Sequence, residues 1–186
     1  MNKSFSLFLL FVVLIFSGCG QSNINPSESK ETNDSSVVSF SKEGFSIKVP
    51  NSWKDCQEPS LIFCRILNDS DSLIFNPNVV ITAKNSLEKL SLVEASELLL
   101  DEMDKSDYYN NYKIVNIENG TLNGISVVIM DFKFFTNDVS LGQTTALFDI
   151  ENEIFNITFT APNDSGDYVN YREIFIPVLY SIQRIN

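Results

Sequence analysis

The sequence predicts an α+β protein, an antiparallel β-sheet with helices packed on it. Three observations carry that expectation. Beyond residue 36 most of the chain is a series of strand-length apolar runs rich in Phe, Ile and Val. Two stretches replace that pattern with helical periodicity, and the later strands are joined by short, turn-rich links, which make neighbours antiparallel. The order of strands, helix, strands, helix then favours α+β over an alternating α/β architecture.

The elements follow in chain order. Val37–Phe40 and Phe45–Val49 flank Lys42-Glu43-Gly44, a hairpin turn with glycine where positive φ is wanted. In the second of these strands Phe45, Ile47 and Val49 share one face, and Pro50 ends it because proline cannot donate to a ladder. Leu61–Leu67 and Asn78–Ala83 are the next strands. Ser91–Ser106 reads as a helix. Ser91 and Glu94 form a capping box, and Leu92, Ala95, Leu99 and Met103 recur on one side. Four long strands are expected at Tyr112–Glu118, Gly124–Phe135, Val139–Ile150 and Ile154–Ala161. Turns are expected at Asn119-Gly120, Thr136-Asn137-Asp138 and Glu151-Asn152-Glu153. A second helix runs from about Asp167 to Gln183. It carries Tyr168, Tyr171, Phe175, Val178, Leu179 and Ile182 on one side, and Pro177 inside it predicts a kink.

The first residues are read separately, as a targeting segment. Lys3 precedes Phe5–Phe16, which is apolar apart from Ser6 and shorter than the roughly 20 residues that a membrane span needs. Phe16-Ser17-Gly18-Cys19 follows, and it resembles the lipobox of bacterial lipoproteins. That resemblance implies a signal peptide over residues 1–18 and lipidation of Cys19, with Phe16 standing where the family usually has Leu. An ordinary signal peptide is the alternative. Residues 19–36, nearly devoid of aliphatic side chains, read as the lipidated Cys and a flexible tether. Residues 37–186 then form a single domain with enough chain for a real core. Gly20 after the Cys, rather than Asp, favours an outer membrane location facing the periplasm if the host has two membranes.

Composition narrows the chemistry. The chain contains no histidine, which excludes Ser-His-Asp and Cys-His nucleophile systems and His-ligated zinc. The net charge is −11, with 24 acidic against 13 basic residues. That balance disfavours nucleic acid and anionic lipid headgroups as direct partners. With Cys19 set aside, Cys56 and Cys64 remain as a pair, and in an exported chain a pair suggests a disulfide, with two buried thiols as the alternative.

Gly44-Phe45-x-Ile47-x-Val49-Pro50-x-x-Trp53 resembles the opening of the PsbP-like fold, which includes DcrB-type bacterial lipoproteins. Asn78–Thr82, the capped helix, Ile125–Phe132 and Ile154–Pro162 with a closing helix are similar to that family in the same order. The resemblance implies an α/β/α sandwich. It carries no shared catalytic motif, and the fold serves unrelated tasks.

Candidate sites follow from these readings. Trp53, the sole tryptophan, reads as the corner of a packed sheet, with a partner platform as the alternative. Tyr108, Tyr109 and Tyr112, set among Asn and Asp, form a possible partner surface, or else a loop with incidental tyrosines. Asp101, Glu102, Asp104 and Asp107 read as a solvated helix face rather than a pair of catalytic carboxyls. Asn68–Ser72 and Asn163–Asp167 read as turns and caps rather than calcium loops. The expected protein is a non-catalytic envelope lipoprotein that contacts an envelope protein partner, with no cofactor and no metal. The alternatives are a carrier of a small apolar ligand or lipid between sheet and helix, and a carboxylate-based hydrolase.

Overall fold

The computed structural model describes residues 35–56, 61–67, 75–84, 90–136, 138–163 and 167–185. The expected signal peptide, Cys19 and the tether up to residue 34 lie outside the described residues. So do residues 68–72 and the middle of the 163–167 loop.

The described strands are β1 (Ser35–Phe40), β2 (Phe45–Pro50), β3 (Lys54–Asp55), β4 (Phe63–Ile66), β5 (Asn78–Lys84), β6 (Asn110–Leu122), β7 (Ile125–Thr136), β8 (Val139–Ile150), β9 (Glu153–Pro162) and β10 (Gln183–Arg184). The helices are α1 (Leu92–Asp104) and α2 (Asp167–Tyr180). The strands form two antiparallel sheets rather than the single sheet expected. One has the order β1-β2-β10 and the other β3-β4-β5-β9-β8-β7-β6.

Tight turns build the large sheet. Leu122 pairs with Ile125 across Asn123-Gly124, whose φ values are 50° and 77°. Two successive positive φ angles give the two-residue turn whose twist matches the flanking strands. The expected turn at Asn119-Gly120 is therefore corrected. Those residues lie inside β6, paired with Val128 and Val127, and the second Asn-Gly makes the hairpin. Glu151 and Asn152, at φ 56° and 68°, connect β8 to β9 in the same way.

The two helices cover opposite faces of the large sheet, giving the expected sandwich. Ala95, Leu99 and Met103 of α1 pack with Val128, Met130, Phe132 and Phe134 of β7. The alternate residues Ile125, Val127 and Ile129 join Phe175, Val178 and Leu179 of α2 on the other face. The small sheet sits on that second side through Phe40, Phe45, Ile47 and Val49. Phe45, fully buried, meets Phe40 at 4.8 Å, Phe155 at 5.0 Å and Phe148 at 5.3 Å between ring centres, so one side chain joins the two sheets. The α1 cap forms as the sequence predicts. The Glu94 N–H donates to Ser91 Oγ at 3.2 Å, and the Ser91 N–H donates to Glu94 Oε2 at 2.7 Å.

The C-terminal segment departs from expectation. Helix α2 ends at Tyr180 rather than near Gln183, and Gln183 and Arg184 instead pair with Ser46 and Phe45. Side chains secure this crossing. The Lys48 N–H donates to Ser181 Oγ at 2.7 Å, and Asn123 Nδ2 donates to the carbonyls of Tyr180 (3.0 Å) and Ile182 (2.7 Å). The Ile185 N–H donates to the Gly44 carbonyl at 3.0 Å.

Candidate interaction surface

Trp53 is 7% exposed and belongs to the core cluster under the small sheet. Its N–H donates to the Pro50 carbonyl at 3.1 Å, closing the turn that ends β2. The indole is thus buried at a corner of the packed sheet. A disulfide joins Cys56 to Cys64 with Cα atoms 5.4 Å apart. It clips the short β3 onto β4, next to an Arg65–Asp55 ion pair at 2.7 Å.

The tyrosines do not form an open surface either. Tyr109 is 3% exposed, and its ring lies 4.8 Å from that of Phe134. Tyr108 is half-buried against Phe134 as well, at 5.5 Å. Tyr112 lies over Phe132 at 6.3 Å, and its hydroxyl donates to Asp104 Oδ1 at 2.7 Å. Burial pushes the Tyr108 hydroxyl up to about 12 and Tyr109 well above its ordinary value. Tyr112 is also pushed up to about 12, by desolvation first and then by its hydrogen bond to Asp104. The Asn and Asp neighbours suggested a polar contact loop, but the apolar rings on β7 draw the tyrosines onto the sheet.

Beneath Tyr109 the α1 side of the sheet carries a buried polar chain. The Tyr109 hydroxyl donates to Gln143 Oε1 at 3.5 Å, and Gln143 Nε2 donates to Thr145 Oγ1 at 2.9 Å. The Thr145 and Thr158 hydroxyls are 3.4 Å apart, and Thr158 Oγ1 donates to Asn156 Oδ1 at 3.1 Å. Each group in the series has a partner, which removes the cost of burying it. On the opposite face Asp131, 6% exposed, receives Arg172 Nε on Oδ1 at 3.1 Å and Nη2 on Oδ2 at 3.0 Å. Thr144 Oγ1 also donates to its Oδ1 at 2.6 Å. This bidentate pair ties α2 to the sheet.

The candidate acids on α1 do not converge on a cleft. Asp101 and Asp104 are exposed; Asp101 pairs with Lys105 one turn on, and Asp104 accepts from Tyr112. Among the described residues no three His, Cys, Asp or Glu side chains are grouped to hold a metal ion. Nor is any described helix long and apolar enough to cross a membrane. Between sheet and α2 the Phe159 and Phe175 rings stack at 4.8 Å.

The surface that sequence reasoning missed is β6. Among the described residues it is the outer strand of the large sheet, paired with β7 alone. Ile114, Val115 and Ile117 are 45%, 56% and 43% exposed, and Phe135 on the neighbouring strand is 51% exposed. A signal was present in the sequence. In Lys113-Ile114-Val115-Asn116-Ile117 the alternation slips, and the structure has a register shift between Ile114 and Asn116.

An α/β/α sandwich built on an antiparallel sheet, with a small second sheet beside one helix, defines the class. It is the PsbP-like fold. The structure superposes on cyanobacterial PsbP (CyanoP) from Synechocystis sp. PCC 6803 with a TM-score of 0.59 and 15% identity, over 87% of this chain and 99% of that one. The Ran-binding protein Mog1p of Saccharomyces cerevisiae gives 0.59 and 10%, over 82% and 96%. LpqN of Mycobacterium tuberculosis, involved in cell envelope biogenesis, gives 0.54 and 12%, over 82% and 91%. No family model and no curated protein matches the sequence.

Proposed function

We propose that this chain is a lipid-anchored protein of the bacterial cell envelope whose domain acts by binding protein rather than by catalysis. The observation that carries the reading is the β6 edge. Among the described residues it is a long outer strand with no neighbouring strand on one side and exposed Ile114, Val115 and Ile117 beside it. Such an edge is a ready template for another chain, because main-chain hydrogen bonds supply affinity and flanking side chains supply selectivity. Two proteins of the same fold agree with it. Mog1p is a Ran-binding protein and LpqN is involved in envelope biogenesis. The address rests on the lipobox-like Phe16–Cys19 and the polar residues that follow it. Acyl chains on Cys19 would hold the protein at a bilayer, and Gly20 favours the outer membrane in a host with two.

The test is a photo-crosslinking residue placed at Ile117 of the full-length chain in living cells, with a second at exposed Val93 on α1 as the control. A discrete protein adduct at 117 and not at 93 supports the reading. Equal diffuse labelling at both positions would refute it. Metabolic labelling with a fatty acid, lost in Cys19→Ser, tests the anchor separately.

A further inference from the structure

We infer that the partner of the β6 edge is a second copy of the same chain, docked antiparallel about a two-fold axis at the β6 bulge. This rests on the protein-contact reading of that edge and names its occupant.

The strand carries one cation, Lys113, and one anion, Glu118, and they flank the bulge symmetrically. Register with β7 fixes which face each side chain takes. Ile114 opposes Phe132 and Ile117 opposes Met130, so both isoleucines lie on the α1 side. Lys113 opposes Lys133 and Glu118 opposes Ile129, so both charges lie on the α2 side. In a regular strand, residues three or five apart point to opposite faces. The extra residue at the bulge reverses that parity and places each pair together.

A two-fold axis perpendicular to the sheet maps each face onto itself, so antiparallel docking must pair residues that share a face. With the axis through the bulge, Lys113 of one copy meets Glu118 of the other, twice, and Ile114 meets Ile117, twice. A shift of one residue would set Ile114 against Glu118 or Lys113 against Ile117 on opposite faces, and the charge match would be lost. Self-complementarity of this kind is what an isologous dimer requires. Asn116 Nδ2 already donates to Glu118 Oε1 at 2.6 Å and fixes the carboxylate beside the axis, where it can still accept from Lys113 of the second copy. Lys113 stands against Lys133 in its own sheet, a like-charge neighbour that an opposing carboxylate would relieve. The net charge of −11 opposes approach of two copies at long range, but at physiological ionic strength screening acts within about 8 Å, so short-range pairing decides the outcome.

The test uses the full-length chain in its native membrane. Ile114→Cys combined with Ile117→Cys should give a disulfide-linked dimer on a non-reducing gel after mild oxidation. Either single variant should give at most about a tenth as much, because in this register neither position faces itself. Lys113→Glu or Glu118→Lys, added to the double-cysteine chain, should each reduce dimer about tenfold by setting like charges opposite. Combining the two reversals should restore it. Restoration is the decisive readout, since a structural defect at either site would add rather than cancel. Dimer from the single cysteines equal to that from the pair, or no recovery in the double reversal, would overturn the inference. An adduct at Ile117 to a different protein, with no self-linked species, would overturn the dimer and leave the protein-contact reading standing. No adduct of any kind would overturn both.

Discussion

Replacing Cys56 and Cys64 together by Ser should lower stability by about 2.5 kcal/mol, from the loop-closure entropy of a bond spanning eight positions. The structure explains why the loss should be felt at Trp53. Strand β3 is only Lys54–Asp55, paired to Ile66 and Arg65, and it leads straight from the buried indole to Cys56. The partly exposed ion pair between Asp55 and Arg65 is a weak substitute for the cross-link, since such pairs contribute about 0–1 kcal/mol. Against a total of roughly 5–15 kcal/mol the loss is substantial without being fatal. Urea unfolding followed by emission of the sole tryptophan is the assay. The midpoint should fall by about 1–2 M with little change in slope. Each single Cys→Ser variant should cost about as much as the double, because either one removes the cross-link. An unchanged midpoint, or single variants that differ widely from the double, would show that the bond does not act by restraining the unfolded chain.

Three further outcomes are expected. Phe45→Ala should cost about 3–5 kcal/mol, because the ring fills the junction of both sheets, and Phe45→Leu should cost clearly less; equal small losses in urea unfolding would deny that junction. Arg172→Met should cost about 1–3 kcal/mol by removing the bidentate partner of buried Asp131, and Asp131→Asn in the same chain should recover part of the loss in a double-mutant cycle; strict additivity would show that the pair does not act as a unit. Tyr108, Tyr109 and Tyr112 keep their protons to higher pH in the folded protein than the ordinary value near 10, so the stability they add is complete below about pH 10 and drains as pH rises toward 12. With Tyr168, Tyr171 and Tyr180 replaced by Phe, tyrosinate absorbance should therefore rise late and together with unfolding, and a simple rise near pH 10 with the fold intact would contradict the burial of the three that remain.

Much of this architecture could be read in the sequence, and the gaps have physical reasons. The Ser91–Glu94 box, the Gly44 turn and the inward Trp53 corner are local features, encoded by a few adjacent residues. The choice between Asn119-Gly120 and Asn123-Gly124 was not local. Both dipeptides suit the turn, and the pairing of Val127 and Val128 with residues of β6 decided between them. The division into two sheets depends on β2 meeting residues 183 and 184, a contact between segments far apart in sequence. A two-residue strand such as β10 has no periodicity to detect. The tyrosines have polar neighbours in sequence, whereas Phe132 and Phe134 beneath them set their burial. The lesson for the candidate surface is similar. Aromatic residues drew attention to positions that turned out to be packed, and the exposed apolar edge lay in a strand that looked ordinary.

The pairing of β2 with β10 also imposes an order of events on folding. The first hairpin can close early, since Phe40 and Phe45 are neighbours in sequence. Its third strand, and the Ile185–Gly44 hydrogen bond beyond it, must wait until residue 185 has left the ribosome. Until then Phe45 has only part of its enclosure. Contacts of such long span are slow to form, because their loop entropy is spent before any contact repays it. A nascent chain of this design therefore leaves its first hairpin without a third strand until residues 183–185 have emerged, so the small sheet is the last layer to close.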